Sequence, residues 1–179
     1  MKNILKEILS TSIYILCVLI LTYLIIHFVG QRTEVIGSSM EPTLQSADNL
    51  IVEKITYRFR NPQRYDIIVF PYKYLKKTYY IKRIIGLPGE KVYIDSEGNI
   101  YINDELLEES YGKETILNAG LASTPITLGD DEYFVMGDNR NDSQDSRDPS
   151  VANIKRDDII GRAWVRIWPF SKFGKIQHQ

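Results

Sequence analysis

The sequence predicts a mainly β domain held behind an N-terminal transmembrane helix, on three observations. Ile8–Val29 is a run of 22 residues without a formal charge when His27 is neutral, against the roughly 20 that a helix needs to cross a bilayer. Beyond it the chain breaks into short segments rich in β-branched and aromatic residues, separated by Gly, Pro, Asn and Asp, the punctuation of strands and turns. Val92–Ile102 alternates apolar and polar residues on both sides of a turn containing Gly98, which is the pattern of a hairpin.

The elements follow in order. Met1–Glu7 is short and polar, and Lys2, Lys6 and the α-amino group outweigh Arg32 on the far side of the apolar run, which favours a cytoplasmic N-terminus. Residues 8–29 read as an uncleaved anchor. They are apolar all round, unlike a core helix with one polar face, longer than a signal-peptide apolar region of about 7–15 residues, and followed by no Ala-x-Ala site. Residues 30–179 hold all but two of the 22 Lys and Arg residues and all but one of the 23 Asp and Glu residues, so they form a water-exposed, extracytoplasmic domain. Its expected strands are Glu34–Ile36, Leu50–Thr56, Asp66–Phe70, Tyr79–Ile85, Lys91–Asp95, Asn99–Asn103, Tyr133–Met136 and Ile159–Ile167. Met40–Leu44 and Glu105–Glu109 are the expected helical turns. Residues of about 95–130 read as a peripheral insertion, least patterned from Glu105 to Pro125.

Composition narrows the chemistry. A net charge of −1 over 179 residues gives no electrostatic reason to expect nucleic acid. Cys17, the single cysteine, lies inside the apolar run, and His27 and His178 sit at its end and near the C-terminus. No disulfide, zinc cluster or Ser-His-Asp arrangement is therefore expected, and an acyl-transfer enzyme built on this chain needs another base.

Three stretches offer one. In Tyr79–Glu90 a strand runs into Gly86-Leu87-Pro88-Gly89, and period-two alternation puts Lys82 on one face with Tyr80 and Ile84. A lysine among apolar side chains loses its proton more readily. Acting as a base near neutral pH requires a fall of about 3 units from roughly 10.4, about 4 kcal/mol. The other reading of Lys82 is an ordinary lysine leaning along the sheet with its head in water. Gly37-Ser38-Ser39-Met40-Glu41-Pro42-Thr43-Leu44 places a serine at a chain corner with backbone N–H groups nearby, as a nucleophile with an oxyanion hole requires, or forms a simple loop. The polar loop Met136–Ser150 opposes four aspartates to two arginines. It reads as a calcium loop, though the Asp-x-Asp-x-Asp-Gly order and the closing glutamate are missing, as a solvated acidic loop, or as a self-bonded loop that holds Asn139 and Ser143 toward a site. Ser110-Tyr111-Gly112-Lys113 has Ser-x-x-Lys spacing, but Gly112 speaks against a helix and neither Ser-Asp-Asn nor Lys-Thr-Gly accompanies it.

In order and spacing, Gly37–Leu44, Tyr80–Glu90 and Gly137–Arg147 resemble the boxes of type I signal peptidases, membrane-bound serine peptidases of the Ser-Lys type. Likeness extends from the anchor to Ile160-Gly161-Arg162-Ala163 and Ile167-Trp168-Pro169, and the short length and single anchor look like the Gram-positive branch. The resemblance implies antiparallel, coiled β-sheets at the plasma membrane that cleave signal peptides from exported preproteins after an Ala-x-Ala-like site, with no metal and no cofactor. It makes Ser39 the nucleophile, Lys82 the general base and Ser143 a hydrogen-bond partner that directs the lysine amine. Asp145 and Arg147 become a salt bridge behind the site, with Asp138, Asn139 and Arg140 opening that loop. Val35, Ile36, Met40, Leu44, Tyr80 and Ile81 become the lining of the pockets for the residues one and three before the cut. Three positions depart from the family. Gly37 stands where some members carry a serine that assists the oxyanion hole, and Ala47 and Tyr65 stand where glycine is usual. A membrane-anchored β-domain that binds extended peptides without cutting them is the alternative.

Overall fold

The protein is described by a computed structural model covering residues 2–178, so the Met1 amino group counted above and Gln179 lie outside the described residues. Helix α1 (Lys2–Leu24) continues as a π-helical turn over Ile25–Val29 and passes directly into strand β1 (Gly30–Glu34). No part of Lys6–Val29 is buried against the rest of the protein. With apolar side chains on every face and a length of about 35 Å, this rod matches the hydrocarbon thickness of a bilayer.

Every strand pair in the remaining domain is antiparallel. In the larger, eight-stranded sheet, β1 is followed by β2 (Asn49–Glu53), β11 (Gly161–Trp168), β3 (Ile67–Pro71), β4 (Tyr79–Gly86), β9 (Glu132–Met136) and β10 (Ile154–Lys155), with β12 (Gly174–Lys175) added to β11. The smaller sheet runs β7 (Glu105–Leu106), β6 (Ile100–Ile102), β5 (Lys91–Ile94) and β8 (Ile126–Thr127). Strand β4 touches all three core clusters. Ile81 packs with Val35, Met40, Leu44, Leu50 and Ile67; Ile84 with Ile68, Phe70, Tyr133 and Val135; and Ile85 with Val92, Ile94, Phe134 and Met136. The third cluster joins the two sheets. Gly86 allows that approach, because a Cβ there would lie 2.6 Å from Val92 and 2.8 Å from Leu128.

Several elements differ from expectation for local reasons. The strand expected over Leu50–Thr56 stops at Glu53, whose carboxylate accepts the Thr56 N–H at 2.9 Å and starts the short helix α2 (Thr56–Phe59). Glu105–Glu109 forms no helical turn. Asn103 and Asp104 both take positive φ, 52° and 69°, the backbone of a tight hairpin turn, which folds β7 onto β6. Residues 95–130, expected at the periphery, supply β6 to β8 and much of the core shared with β4 and β9.

Two backbone edges face each other across the larger sheet. Strand β9 covers β4 only from Arg83 to Gly86, leaving Tyr79–Lys82 unpaired on that side. The strand expected over Glu34–Ile36 ends as β1 at Glu34, but just past it Val35 still turns its N–H and C=O toward Asp48 and Ala47, so the polar groups of Glu34 and Ile36 point the other way. Between these edges lies a cleft of about 550 Å³.

Candidate active site

The cleft floor brings together residues 43 positions apart. Lys82 Nζ lies 2.6 Å from Ser39 Oγ and 5.2 Å from the centre of the Tyr80 ring, on the same face of β4. Lys82 is 4% exposed. Burial lowers its pKa to about 8; the Asp145 carboxylate opposes that, the Arg147 guanidinium reinforces it, and Asp138 opposes it more weakly. The buried-amine reading of Lys82 therefore describes its environment better than a lysine with its head in water.

Ser39 sits in the turn that Gly37 opens with φ +95°, a conformation glycine adopts without cost. Loop 137–148 clamps that turn from the other side. The Asn139 N–H donates to Ser39 O at 3.1 Å, Asn139 Nδ2 to Ser38 O at 3.2 Å, Ser38 Oγ to Asp142 at 2.5 Å and Thr43 Oγ1 to Asp138 at 2.5 Å. Gly137 fills the narrowest point, since a Cβ there would lie 2.3 Å from both Ser39 O and Ser143 Oγ. Among the described residues, the Ser39 N–H has no protein acceptor.

Asp145 anchors the loop from within. Its carboxylate accepts Arg147 Nε and Nη2, each at 2.8 Å, and the Gly137 N–H at 3.0 Å. Asp138 accepts Arg83 Nε and Nη2 at 2.8 and 2.7 Å, with both side chains fully buried. The charged side chains of the loop are thus self-paired only at Asp145 and Arg147; Asp138 pairs with Arg83, Asp142 with Ser38 and Arg140 with Glu109, all outside it. Among the described residues, no cluster of His, Cys, Asp or Glu is arranged to hold a metal ion.

The structure separates the expected residues into groups. Ser39, Lys82, Val35, Ile36, Tyr80 and Ile81 line the cleft. Met40 and Leu44 do not; the Leu44 N–H to Met40 O bond curls the turn and drives both side chains into the core, 1% and 0% exposed. Ser143 lies beside the dyad against Gly137, but its Oγ is buried without a hydrogen-bond partner, so the expected bond to Lys82 is not formed in this state. Three contributors escaped the sequence reading. Asp142 and Gln144 line the cleft on either side of Ser143, with Tyr80 Oη donating to Gln144 at 2.6 Å. Arg83 was visible as a charge within an apolar strand, a signal for a buried partner.

Comparison with known proteins shows the family. The model of the family described as signal peptidase, peptidase S26, matches residues 6–168. The chain is 44% identical over 154 residues to a probable signal peptidase I-2 of Synechocystis, covering 83% of this chain and 68% of that protein. It is 38% identical over 170 residues to signal peptidase I P of Bacillus subtilis subsp. natto, covering 91% and 90%. A signal peptidase I crystal structure from Enterococcus faecalis is 31% identical with a TM-score of 0.46, over 57% of this chain and 97% of that one. The matched span contains the serine turn, β4 and loop 137–148, and on that match the chain belongs to the signal peptidases of the peptidase S26 family.

Proposed function

We propose that this enzyme is a membrane-anchored serine endopeptidase that removes signal peptides from exported preproteins after an Ala-x-Ala-like site, with Ser39 as nucleophile and Lys82 as general base. The supporting observation is the 2.6 Å approach of Nζ to Oγ at a lysine that burial keeps near pKa 8. About a tenth of such lysines are uncharged at pH 7. The neutral amine accepts the Ser39 hydroxyl proton as Oγ attacks the scissile carbonyl. The oxyanion is met by the Ser39 N–H, since Gly37 has no hydroxyl to offer. Lys82 then gives its proton to the leaving amine, and the acyl-enzyme is hydrolysed by water that the neutral lysine activates.

The preprotein lies extended between the open edges at Glu34–Ile36 and Tyr79–Lys82, pairing with both through its main chain. Val35, Ile36, Tyr80 and Ile81 leave room for small side chains, while Met40 and Leu44 shape these pockets from below. Ser143, free of other partners, turns its hydroxyl to the amine during the reaction, and Asp145 with Arg147 keeps it in reach. Anchor 8–29 places residues 1–7 in the cytoplasm and residues 30–179 outside, confining enzyme and substrate to one plasma-membrane surface and raising their effective concentration.

Cleavage of a precursor bearing Ala-x-Ala, with the cut located by mass spectrometry, tests this reading. One cut after the second alanine is expected, lost in Ser39→Ala and in Lys82→Ala and blocked by phenylalanine at either alanine position. A cut that survives either enzyme substitution contradicts the dyad.

A further inference from the structure

Residues 109–121 run along loop 137–147 and are stitched to it. Lys113 N–H donates to Asp138 O at 2.8 Å, Leu117 N–H to Asn141 Oδ1 at 2.9 Å, Arg147 Nη1 to Asn118 O at 3.2 Å and Leu121 N–H to Arg147 O at 2.9 Å. Half-buried Tyr111 reaches β4. Its ring centre lies 3.8 Å from the guanidinium carbon of Arg83, covering the face of a group whose edge is taken by Asp138. Tyr65 packs against the outer side of that ring at 5.1 Å. Tyr111 is not part of the cleft lining, so its role does not pass through substrate contact.

We propose that Tyr111 is a positioning residue for the dyad: its ring seals the Arg83–Asp138 pair from water and thereby fixes β4 against loop 137–147 beside Lys82. The inference rests on the reading of Lys82 as the base. A second cavity, of about 290 Å³, is lined by Tyr111 and Arg83 together with Thr43, Arg166, Lys172 and Lys175. Truncating the ring lets water from this cavity reach the face of Arg83, and a hydrated guanidinium holds Asp138 less firmly. The groups facing Lys82 are Ser39 from the serine turn, Tyr80 from its own strand, and Asp138, Asp145 and Arg147 from the loop. Loosening that loop admits solvent to the amine and favours its charged form.

The test is the pH dependence of kcat and KM for the full chain in lipid vesicles, comparing wild type, Tyr111→Leu, Tyr111→Phe and Lys82→Ala. In Tyr111→Leu, kcat is expected to fall about two- to fivefold near pH 8 as the neutral fraction of Lys82 drops, KM to stay within about twofold because the cleft is untouched, and the acid limb to move up by about half to one pH unit. Tyr111→Phe keeps the ring and should follow wild type. If Tyr111→Leu does not fold, Tyr111→Met carries the same expectation. A Tyr111→Leu limb that coincides with wild type, whatever the residual rate, overturns the proposal, as does a Tyr111→Phe profile that follows Leu. Wild-type activity equal to that of Lys82→Ala identifies a different failure, that of the dyad, and removes the proposal with it.

Discussion

Arg83 and Asp138 meet edge to edge, Nε to Oδ1 at 2.8 Å and Nη2 to Oδ2 at 2.7 Å, one residue along β4 from Lys82. Neither side chain reaches solvent, at 1% and 0% exposure. Removing one partner leaves a buried charge unpaired, so Asp138→Ala is expected to destabilise the protein by about 3–5 kcal/mol. The double change Arg83→Met with Asp138→Leu should recover most of that stability without restoring activity. Thermal unfolding of the detergent-solubilised chain checks both, and a small loss in Asp138→Ala would count against a tightly desolvated pair.

Lys82 costs stability in the form that binds protons. Its folded pKa is about 8 against 10.5 unperturbed. Between these values the unfolded chain holds more protons than the folded one, so stability rises with pH across that window and the penalty is complete below pH 8. Lys82→Met should therefore stabilise the protein at pH 7 by about 3 kcal/mol, and by much less at pH 10. Denaturant titrations at both pH values measure this; a destabilised Lys82→Met would mean that the amine is well solvated.

Ser143 separates stability from activity. Its Oγ is buried and unpartnered, so Ser143→Ala removes an unsatisfied group and should change stability by no more than about 1 kcal/mol, in the favourable direction. If the hydroxyl turns to Lys82 during reaction, kcat should nonetheless fall by about 10-fold or more. Equal losses in both measurements would reduce Ser143 to a packing residue.

Ala47 and Tyr65 hold positive φ, 71° and 70°. The departures from glycine at these two positions therefore concern backbone conformation as well as packing. A left-handed L-residue costs roughly 1–2 kcal/mol, while glycine's extra freedom when unfolded returns about 0.4–1. Ala47→Gly is accordingly expected to stabilise by about 0.5–1 kcal/mol. Tyr65→Gly also loses the packing on Tyr111 and should be destabilising. Thermal melts of the two variants should move in opposite directions.

Alternation made β5 and β6 legible in the sequence, β-branched and aromatic composition made β4 and β9 so, and the face of β4 that carries Lys82 followed from period two. The serine turn and the polar loop were legible as motifs, but their contact depends on Gly137, where the approach of Ser39 O to Ser143 leaves no room for a side chain. Met40 and Leu44 were plainly apolar, yet only the curl of the turn decides that they face the core rather than the cleft. Glu105–Glu109 was misread because the left-handed pair Asn103-Asp104 overrides the helical preference of glutamate. Tyr111 was hidden by distance, since nothing local in Ser110-Tyr111-Gly112-Lys113 announces a partner on β4.

The most direct test of the account is the pH dependence of precursor cleavage by the lipid-embedded chain, with wild type and Lys82→Ala side by side. The account predicts that kcat rises tenfold per pH unit up to an apparent pKa of about 8, levels off above it, and is lost in Lys82→Ala at every pH. A rate that climbs without a break toward the pKa of free lysine, or that persists in Lys82→Ala, would contradict the claim that a buried, uncharged Lys82 takes the proton of Ser39.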